Sequence, residues 1–488
     1  MNKPIRTMAI ACLALFLALL VNSTYLQYIR ADELNSRNDN KRVRDAEFSR
    51  ERGAILVRGT SVAESVPVDS QFEFQRRYPQ PLKYGHLTGY YSYTYGRNAV
   101  ELTQNDILSG SDPRLFVNRV VDMFGNTQPK GGDVTLTIDP SAQDAAYEGL
   151  RDLGGPNIKG SVVALDPSTG AILAMVSSPA YNPNDLSSHR LSAISDAWKE
   201  LNNDPARPML NRGIQEVFPP GSTFKLVTAA AALSSGQYTP QSMVPGTATL
   251  DLPLTDNVLP NVTGSNCGGD RVTLTQALMV SCNTAFGWLG MELGDDALRE
   301  QAEKFGFGDR YLTDLNGQAV SRFPTDADEP QTAYSAIGQF DVASTPLQMA
   351  MVTAGIANGG TVMRPYLVDE VRSPNLDVLD KANPEPYRSA VSSSVARDLT
   401  QMMIETVDSG TATTAQISGI KVAGKTGTAQ TSAERNPYAW FVSFAPADNP
   451  QVAVAVLVED AGVERNAITG SGLAAPIAKR VMEAVINR

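Results

Sequence analysis

The sequence has few of the side chains on which metal and triad chemistry depend. Its 488 residues include two histidines, His86 and His189, and three cysteines, Cys12, Cys267 and Cys282. These are too few and too scattered for a zinc site, so no metal and no cofactor are expected. A serine–histidine triad would need one of two distant imidazoles, and any catalysis is expected to use another base.

Positive charge is also scarce, with 41 Lys and Arg against 52 Asp and Glu and a net charge of -11. Such a chain repels phosphate backbones, so nucleic acid is not expected as a partner. With 42% hydrophobic and 19% charged residues, the composition is that of a globular protein, and the length predicts roughly three structural units.

One long stretch lacks charge altogether, from Met8 to Ile29. As a helix it would cover roughly 33 Å, which is enough for a bilayer core. We predict a single-pass signal anchor at residues 8–29, with a cytoplasmic tail at 1–7 and the bulk of the chain outside the cell membrane. The Lys and Arg residues near the two ends do not by themselves determine this orientation, because long domains can translocate despite such charges. A removable signal peptide is the alternative, but no small-residue cleavage site follows.

The predicted compartment bears on the two remaining cysteines. Outside the membrane, Cys267 and Cys282 would share an oxidising space and could form a disulfide. Two unpaired, small apolar side chains are the alternative.

Strand-like segments lie at both ends of the C-terminal part. Residues 160–165 and 171–176 predict a hairpin, and residues 438–444 and 451–458 predict two further strands. Apolar helical stretches fill the middle. We predict an α/β (α+β) domain over 156–488, with one antiparallel sheet closed by sequence-distant strands and flanked by helices.

Residues 30–155 are expected to form a separate unit ahead of that domain. Dense mixed charge over residues 31–52 predicts a solvated helical stalk. The alternating segment 133–138 predicts a strand, and Asp139 can cap the helix that follows. The boundary is placed at Gly154-Gly155-Pro156.

Ser222-Thr223-Phe224-Lys225 is the first of three short motifs with chemical potential. It opens an apolar run, which predicts a loop entering a buried helix. The positive end of a helix favours negative charge developing at the Ser222 oxygen. Lys225 lies on the same helical face, and it can act as a base if burial lowers its pKa.

Ser281-Cys282-Asn283 is the second motif, between two apolar helical runs. A short connection there can point polar side chains into a cleft. Ser281 could relay a proton between Lys225 and a leaving amine, and Asn283 could hold a substrate carbonyl or a lysine head.

Lys425-Thr426-Gly427-Thr428 is the third motif, on a predicted strand. The lysine and the threonine hydroxyls suit a substrate carboxylate, and Gly427 would let a backbone come close. A peptide could pair with this strand. The backbone N–H groups of Ser222 and Thr428 are candidates for an oxyanion hole.

Each motif is weak alone, because Ser-x-x-Lys recurs at 418–421 and Ser-x-Asn at 36–38 and 373–375. Taken together and in order, the motifs resemble those of the class B penicillin-binding proteins, most of all the PbpA-type members of mycobacteria and their relatives. The resemblance covers nearly the whole chain. It includes Arg52-Gly-Ala-Ile55, Tyr84-Gly-His-Leu-Thr-Gly-Tyr90, Val162-Val-Ala-Leu-Asp-Pro-Ser-Thr-Gly170, Asn182-Pro-Asn184 and Thr345-Pro-Leu-Gln-Met349.

The resemblance implies a peptidoglycan D,D-transpeptidase that cross-links stem peptides during division or elongation and is acylated by β-lactams. It implies a penicillin-binding fold preceded by a class B pedestal, and a SEDS-family glycosyltransferase and other divisome or elongasome proteins as partners. A carboxypeptidase side activity is also expected. The implied roles are nucleophile for Ser222, base for Lys225, proton relay for Ser281, and substrate binding for Asn283, Lys425, Thr426, Gly427 and Thr428.

Three other functions share parts of this pattern. A class A β-lactamase resembles the chain in acylation but carries Glu-x-x-Leu-Asn, where this sequence has Leu312-Thr-Asp-Leu-Asn316. An antibiotic sensor would need a cytoplasmic effector, and the predicted tail at residues 1–7 leaves no room for one. A non-catalytic scaffold would be expected to lack Ser222, Lys225 or Lys425.

Overall fold

The computed structural model describes residues 3–30, 33–34, 41–70, 72–115, 130–155, 157–430 and 436–487. The α-helices span Lys3–Thr24, Lys41–Phe48, Pro81–Thr88, Ala99–Thr103, Asn105–Leu108, Pro140–Arg151, Leu191–Asn203, Lys225–Ser234, Leu274–Met279, Asn283–Leu293, Asp295–Lys304, Glu329–Ala336, Pro346–Ala357, Ser393–Asp408 and Ala475–Ile486. The strands span Ile55–Val57, Thr60–Pro67, Phe74–Arg77, Tyr91–Ser92, Gly96–Arg97, Asp133–Leu136, Lys159–Leu165, Ile172–Ser178, Met243–Pro245, Thr249–Asp251, Val258–Pro260, Arg271–Thr273, Thr361–Met363, Val368–Arg372, Val378–Lys381, Pro386–Ser389, Ala423–Ala429, Tyr438–Ala445 and Val452–Asp460.

A five-stranded antiparallel sheet, the central sheet, organises the C-terminal part. Its strands are rich in Val and Ala and are buried on both faces, as continuous apolar runs require. Val456 lies opposite Val162, so strands from the two ends of this part pair directly and confirm the predicted closure. The strand order is Ala423–Ala429, Tyr438–Ala445, Val452–Asp460, Lys159–Leu165 and Ile172–Ser178.

Helices cover both faces of the central sheet. Pro346–Ala357 packs on one face, and Pro140–Arg151 packs with Ala475–Ile486 on the other. Asp139 caps Pro140–Arg151, since its side chain accepts hydrogen bonds from two N–H groups of the first turn. This helix therefore packs with the C-terminal part, although it precedes the predicted boundary. Pro156, at that boundary, lies outside the described residues.

The N-terminal part is built around a second, six-stranded sheet. Its order is Val378–Lys381, Val368–Arg372, Asp133–Leu136, Ile55–Val57, Thr60–Pro67 and Phe74–Arg77. The first two strands come from the C-terminal part of the chain, so the two parts share a sheet and are joined by backbone hydrogen bonds.

The predicted stalk at residues 31–52 is wrong at its C-terminal end. The Phe48 ring stacks on Tyr91 with centroids 4.2 Å apart. Arg52 is buried, and its Nε donates a 2.6 Å hydrogen bond to the Glu101 carboxylate. The charge of Arg52 is thus neutralised inside the fold. A cluster of charged residues in the sequence does not reveal that one of them has a buried partner. Residues 31–32 and 35–40 lie outside the described part.

The N-terminal helix Lys3–Thr24 continues into a π-helical turn, Tyr25–Ile29. Within the described residues it is the one helix long and apolar enough to cross a membrane, and nothing in the fold covers it. Its apolar surface matches the anchor predicted at 8–29, which stays a prediction.

Candidate active site

The first motif forms a tight helical turn at the end of the central sheet. Gly221–Phe224 is a 3₁₀ turn that leads into the buried helix Lys225–Ser234. Gly221 has φ +52° and donates its N–H to Gly338 O at 2.9 Å. This left-handed conformation suits glycine and turns the chain so that Ser222 faces a cavity. Ser222 is 9% exposed, and Lys225 lies fully buried below it.

Lys225 reaches the second motif rather than solvent. Its Nζ donates to the carbonyl oxygen of Ser281 and to Oδ1 of Asn283, both at 2.7 Å, and lies 3.3 Å from Ser281 Oγ. Ser281 has φ +59°, an uncommon conformation for serine that exposes both of its oxygens to the lysine.

Lys425 approaches the same serine from the edge of the central sheet. Its Nζ donates to Ser281 Oγ and to the carbonyl oxygen of Thr426, both at 2.9 Å. Ser281 Oγ therefore lies between two buried lysine side chains that come from different motifs.

Burial lowers the pKa of both lysines, and the nearby Lys425 charge lowers that of Lys225 further. Burial, and then the nearby Lys425 charge, hold the pKa of Lys225 well below its usual value. Burial lowers the pKa of Lys425 to about 7. The site thus favours the uncharged form of Lys225, which is the form that can accept a proton.

A cavity of about 530 Å³ opens above these groups. Ser222, Ser281, Thr426 and Thr428 line it, so all three motifs reach its wall. Within the described part of the chain, Ser222 Oγ has no hydrogen-bond partner. The nucleophile candidate therefore faces open space.

The third motif packs against the first along the edge strand Ala423–Ala429. Thr426 Oγ1 lies 2.7 Å from Thr411 Oγ1, which orients it toward the cavity wall they share. A Cβ on Gly221 would stand 3.0 Å from Thr428 O, so the turn at Ser222 and the strand at Thr428 are in contact. This contact brings together the two segments whose N–H groups were expected to form an oxyanion hole.

At position 427, contacts within the protein itself require a glycine. A side chain there would come within 2.9 Å of Thr223 and 3.1 Å of Pro220 O. The protein's own turn before Ser222 therefore already requires glycine at position 427, and access for a substrate backbone there stays a prediction.

Sequence reasoning missed Asn261, which lines the cavity beside the second motif. Its side chain contacts the start of the helix Asn283–Leu293. A disulfide joins Cys267 to Cys282, so the segment after Asn261 is tied to that motif. The two cysteines were the signal that could have directed attention to this segment.

The chain matches known families and structures over most of its length. The penicillin binding protein transpeptidase domain matches residues 160–483, and the penicillin binding protein A dimerisation domain matches residues 52–134. The peptidoglycan D,D-transpeptidase PbpA of Mycolicibacterium smegmatis is 44% identical over 491 residues, covering 100% of this chain and 99% of that protein. PbpA of Mycobacterium tuberculosis is 42% identical over 495 residues, with the same coverage of both chains. The ceftriaxone acyl-enzyme of penicillin-binding protein A from M. tuberculosis superposes with a TM-score of 0.87 at 43% identity, covering 91% of this chain and 100% of that one.

Proposed function

The chain belongs to the penicillin-binding protein transpeptidase family, and we propose that it cross-links peptidoglycan stem peptides as a D,D-transpeptidase through an acyl-enzyme on Ser222. The observation that carries the proposal is Ser281 Oγ between Lys225 and Lys425, beside a cavity that exposes Ser222. Solved relatives that are β-lactam acyl-enzymes support it.

Acylation begins with attack of Ser222 Oγ on the carbonyl carbon of the bond between the last two D-alanines. The hydroxyl proton passes to the neutral amine of Lys225. The new oxyanion accepts hydrogen bonds from the N–H groups of Ser222 and Thr428. When the tetrahedral intermediate collapses, the C–N bond breaks. The leaving amine then receives the proton held by Lys225, which passes by way of Ser281.

The contacts of Lys225 suit a base. A neutral amine has two N–H bonds and one lone pair, and two acceptors lie 2.7 Å from Nζ. When both N–H bonds point to Ser281 O and Asn283 Oδ1, the lone pair is left for the Ser222 proton.

Substrate binding uses the other side of the cavity. The terminal carboxylate of the stem peptide accepts hydrogen bonds from the hydroxyls of Thr426 and Thr428, and the buried Lys425 behind Thr426 contributes positive charge without direct contact. The peptide lies along Ala423–Ala429, which ends the order of the central sheet, and adds to it as an extra strand.

The second half of the reaction transfers the acyl group to the amine of another stem peptide, and transfer to water gives the carboxypeptidase side reaction. A class A β-lactamase would need the glutamate of a Glu-x-x-Leu-Asn segment to activate water for deacylation. In the comparable segment Leu312 is buried, and Asp314 accepts hydrogen bonds from the N–H groups of Leu367 and Val368. Asp314 therefore serves the fold, which favours the transpeptidase.

The N-terminal helix and the pedestal complete the proposal. We place the helix in the cell membrane, with the catalytic part outside, where an oxidising compartment suits the Cys267–Cys282 disulfide. The pedestal would contact a SEDS-family glycosyltransferase within the division or elongation machinery. Co-purification of such a protein with the full chain tests this part, and its absence would contradict it.

The mass of the intact protein after benzylpenicillin treatment tests the chemistry. Wild-type protein should gain one stable adduct, and Ser222→Ala should gain none. Ser418→Ala, which removes the serine of the other Ser-x-x-Lys string, is the matched control and should label normally. Labelling of Ser222→Ala would identify a different nucleophile, and rapid loss of the wild-type adduct would indicate a β-lactamase.

A further inference from the structure

The helix that carries Asn283 receives its N-terminal cap from a distant segment. Asn283–Leu293 follows Cys282, whose side chain caps no N–H group of the first turn and whose sulfur is bonded to Cys267. The first N–H groups of a helix have no acceptor inside it. They need an oxygen from elsewhere in the fold.

Asn261 supplies that oxygen. Its Oδ1 accepts hydrogen bonds from the N–H groups of Asn283 at 2.9 Å and Thr284 at 3.2 Å. Its amide nitrogen donates to Thr247 O at 2.9 Å and Ser265 O at 3.0 Å. The Asn261 side chain is buried and uses both donors and its acceptor, so it is held in one orientation.

Pro260, the residue before Asn261, orients the Asn283 side chain. Asn283 Nδ2 donates to Pro260 O at 3.0 Å, while Oδ1 accepts from Lys225 Nζ at 2.7 Å. A reversed amide would place oxygen against Pro260 O, which is repulsive, and would remove the acceptor oxygen from Lys225 Nζ. Asn261 thus holds the backbone of Asn283, and Pro260 holds its side-chain amide.

We propose that Asn261 is a positioning residue for acylation, which holds the Lys225 amine in place by way of Asn283. Asn261 belongs to none of the three motifs, and it contacts Asn283 but not Lys225 in the described structure. The inference rests on the proposed function only in that acylation of Ser222 is what is measured.

The test is a double-mutant cycle on the full-length chain in detergent, with the acylation rate by fluorescent penicillin as readout. Asn261→Ala should acylate about 10- to 100-fold more slowly, because small misplacements of a catalytic group have effects of this size. Asn257→Ala, an exposed asparagine before the same segment, is the matched control and should match wild type.

The cycle separates positioning from loss of fold. In an Asn283→Ala background, Asn261→Ala should slow acylation by less than about twofold, since its route to Lys225 is already removed. If Asn261→Ala does not fold, Asn261→Ser, whose shorter side chain removes the acceptor oxygen from its place but stays polar, replaces it in the cycle. Two results would overturn the inference. One is an Asn261→Ala variant that acylates at the wild-type rate; the other is an Asn261→Ala effect that is as large in the Asn283→Ala background as in the wild-type background. Ser222→Ala measured alongside reports separately on the proposed function.

Discussion

Lys425 Nζ donates a 2.9 Å hydrogen bond to Ser281 Oγ, although 144 positions separate the two residues. Lys225 Nζ lies 3.3 Å from the same oxygen. A buried positive charge on either lysine opposes protonation of the other. This relationship links the charge state of Lys425, in the third motif, to that of Lys225, the proposed base in the first.

Lys425→Ala should change the pH dependence of acylation. Removing the Lys425 charge removes one of the two causes that lower the pKa of Lys225, so that pKa rises. The proton-accepting form of Lys225 then requires a higher pH, and the acid limb of the rate profile should move upward. The rate should also fall about 100-fold or more, because the positive charge proposed to attract the substrate carboxylate is lost.

Stopped-flow acylation of the full chain by a chromogenic β-lactam, across acid and alkaline pH, measures both effects. Lys421→Ala removes an exposed lysine from the same region and serves as the control. An acid limb that stays in place or moves to lower pH in Lys425→Ala would contradict the coupling.

Lys225→Arg should retain the fold and lose most of the acylation. A guanidinium fills similar space but stays protonated, so it cannot take the Ser222 proton. We expect a loss of about 100- to 10,000-fold, the usual contribution of a general base. The acylation rate of Lys225→Arg is compared with that of Lys421→Arg, and near-equal rates would assign the base to another group.

Removing the disulfide should weaken both stability and acylation. The bond closes a loop of 15 residues, for which the expected stabilisation is about 3 kcal/mol. Cys267→Ala/Cys282→Ala should therefore unfold at lower urea concentration, with Cys12→Ala as the control. Acylation should slow as well, because Asn261 lies in the segment that the disulfide ties to Asn283. Non-reducing peptide maps that recover both thiols free would contradict this.

Glu101→Gln should destabilise the pedestal. Both carboxylate oxygens accept hydrogen bonds from buried arginines, from Arg52 at 2.6 Å and from Arg76 at 2.7 Å. Losing the charge breaks the buried pair with Arg76 and leaves Arg52 with the more distant Glu47 carboxylate, 3.6 Å away; breaking a buried pair costs about 3–5 kcal/mol. Urea unfolding measures the loss against Glu148→Gln, an exposed carboxylate.

The same carboxylate predicts a pH dependence of stability. Burial alone would raise the pKa of Glu101, but Arg76 and Arg52 overcome it and the pKa is lowered. A carboxylate with a lowered pKa in the folded state stabilises the protein above its unfolded pKa of about 4.3, and this contribution is lost as the pH falls. The stability difference between wild type and Glu101→Gln should therefore shrink in acid. A constant difference would show that Glu101 does not titrate as described.

Patterns within short segments predicted much of the fold. The hairpin of Lys159–Leu165 with Ile172–Ser178 and the cap at Asp139 follow from alternation and turn residues. The burial of Arg52 and the pairing of Val368–Arg372 with Asp133–Leu136 could not be predicted this way. Both depend on partners that are distant in sequence. Local periodicity carries no information about which distant segment will pack against a given residue or strand.

The amino-acid order alone established the chemistry available to this protein, because Ser222 and Lys225 lie one helical turn apart wherever that helix is placed. It also established which strands could form, since alternation and apolar runs are local properties. Folding in three dimensions settled which oxygen lies between the two lysines, and it placed Asn261 and Gly427 where their neighbours give them a purpose. Those contacts are non-local, so they exist only once the sheets and helices have packed.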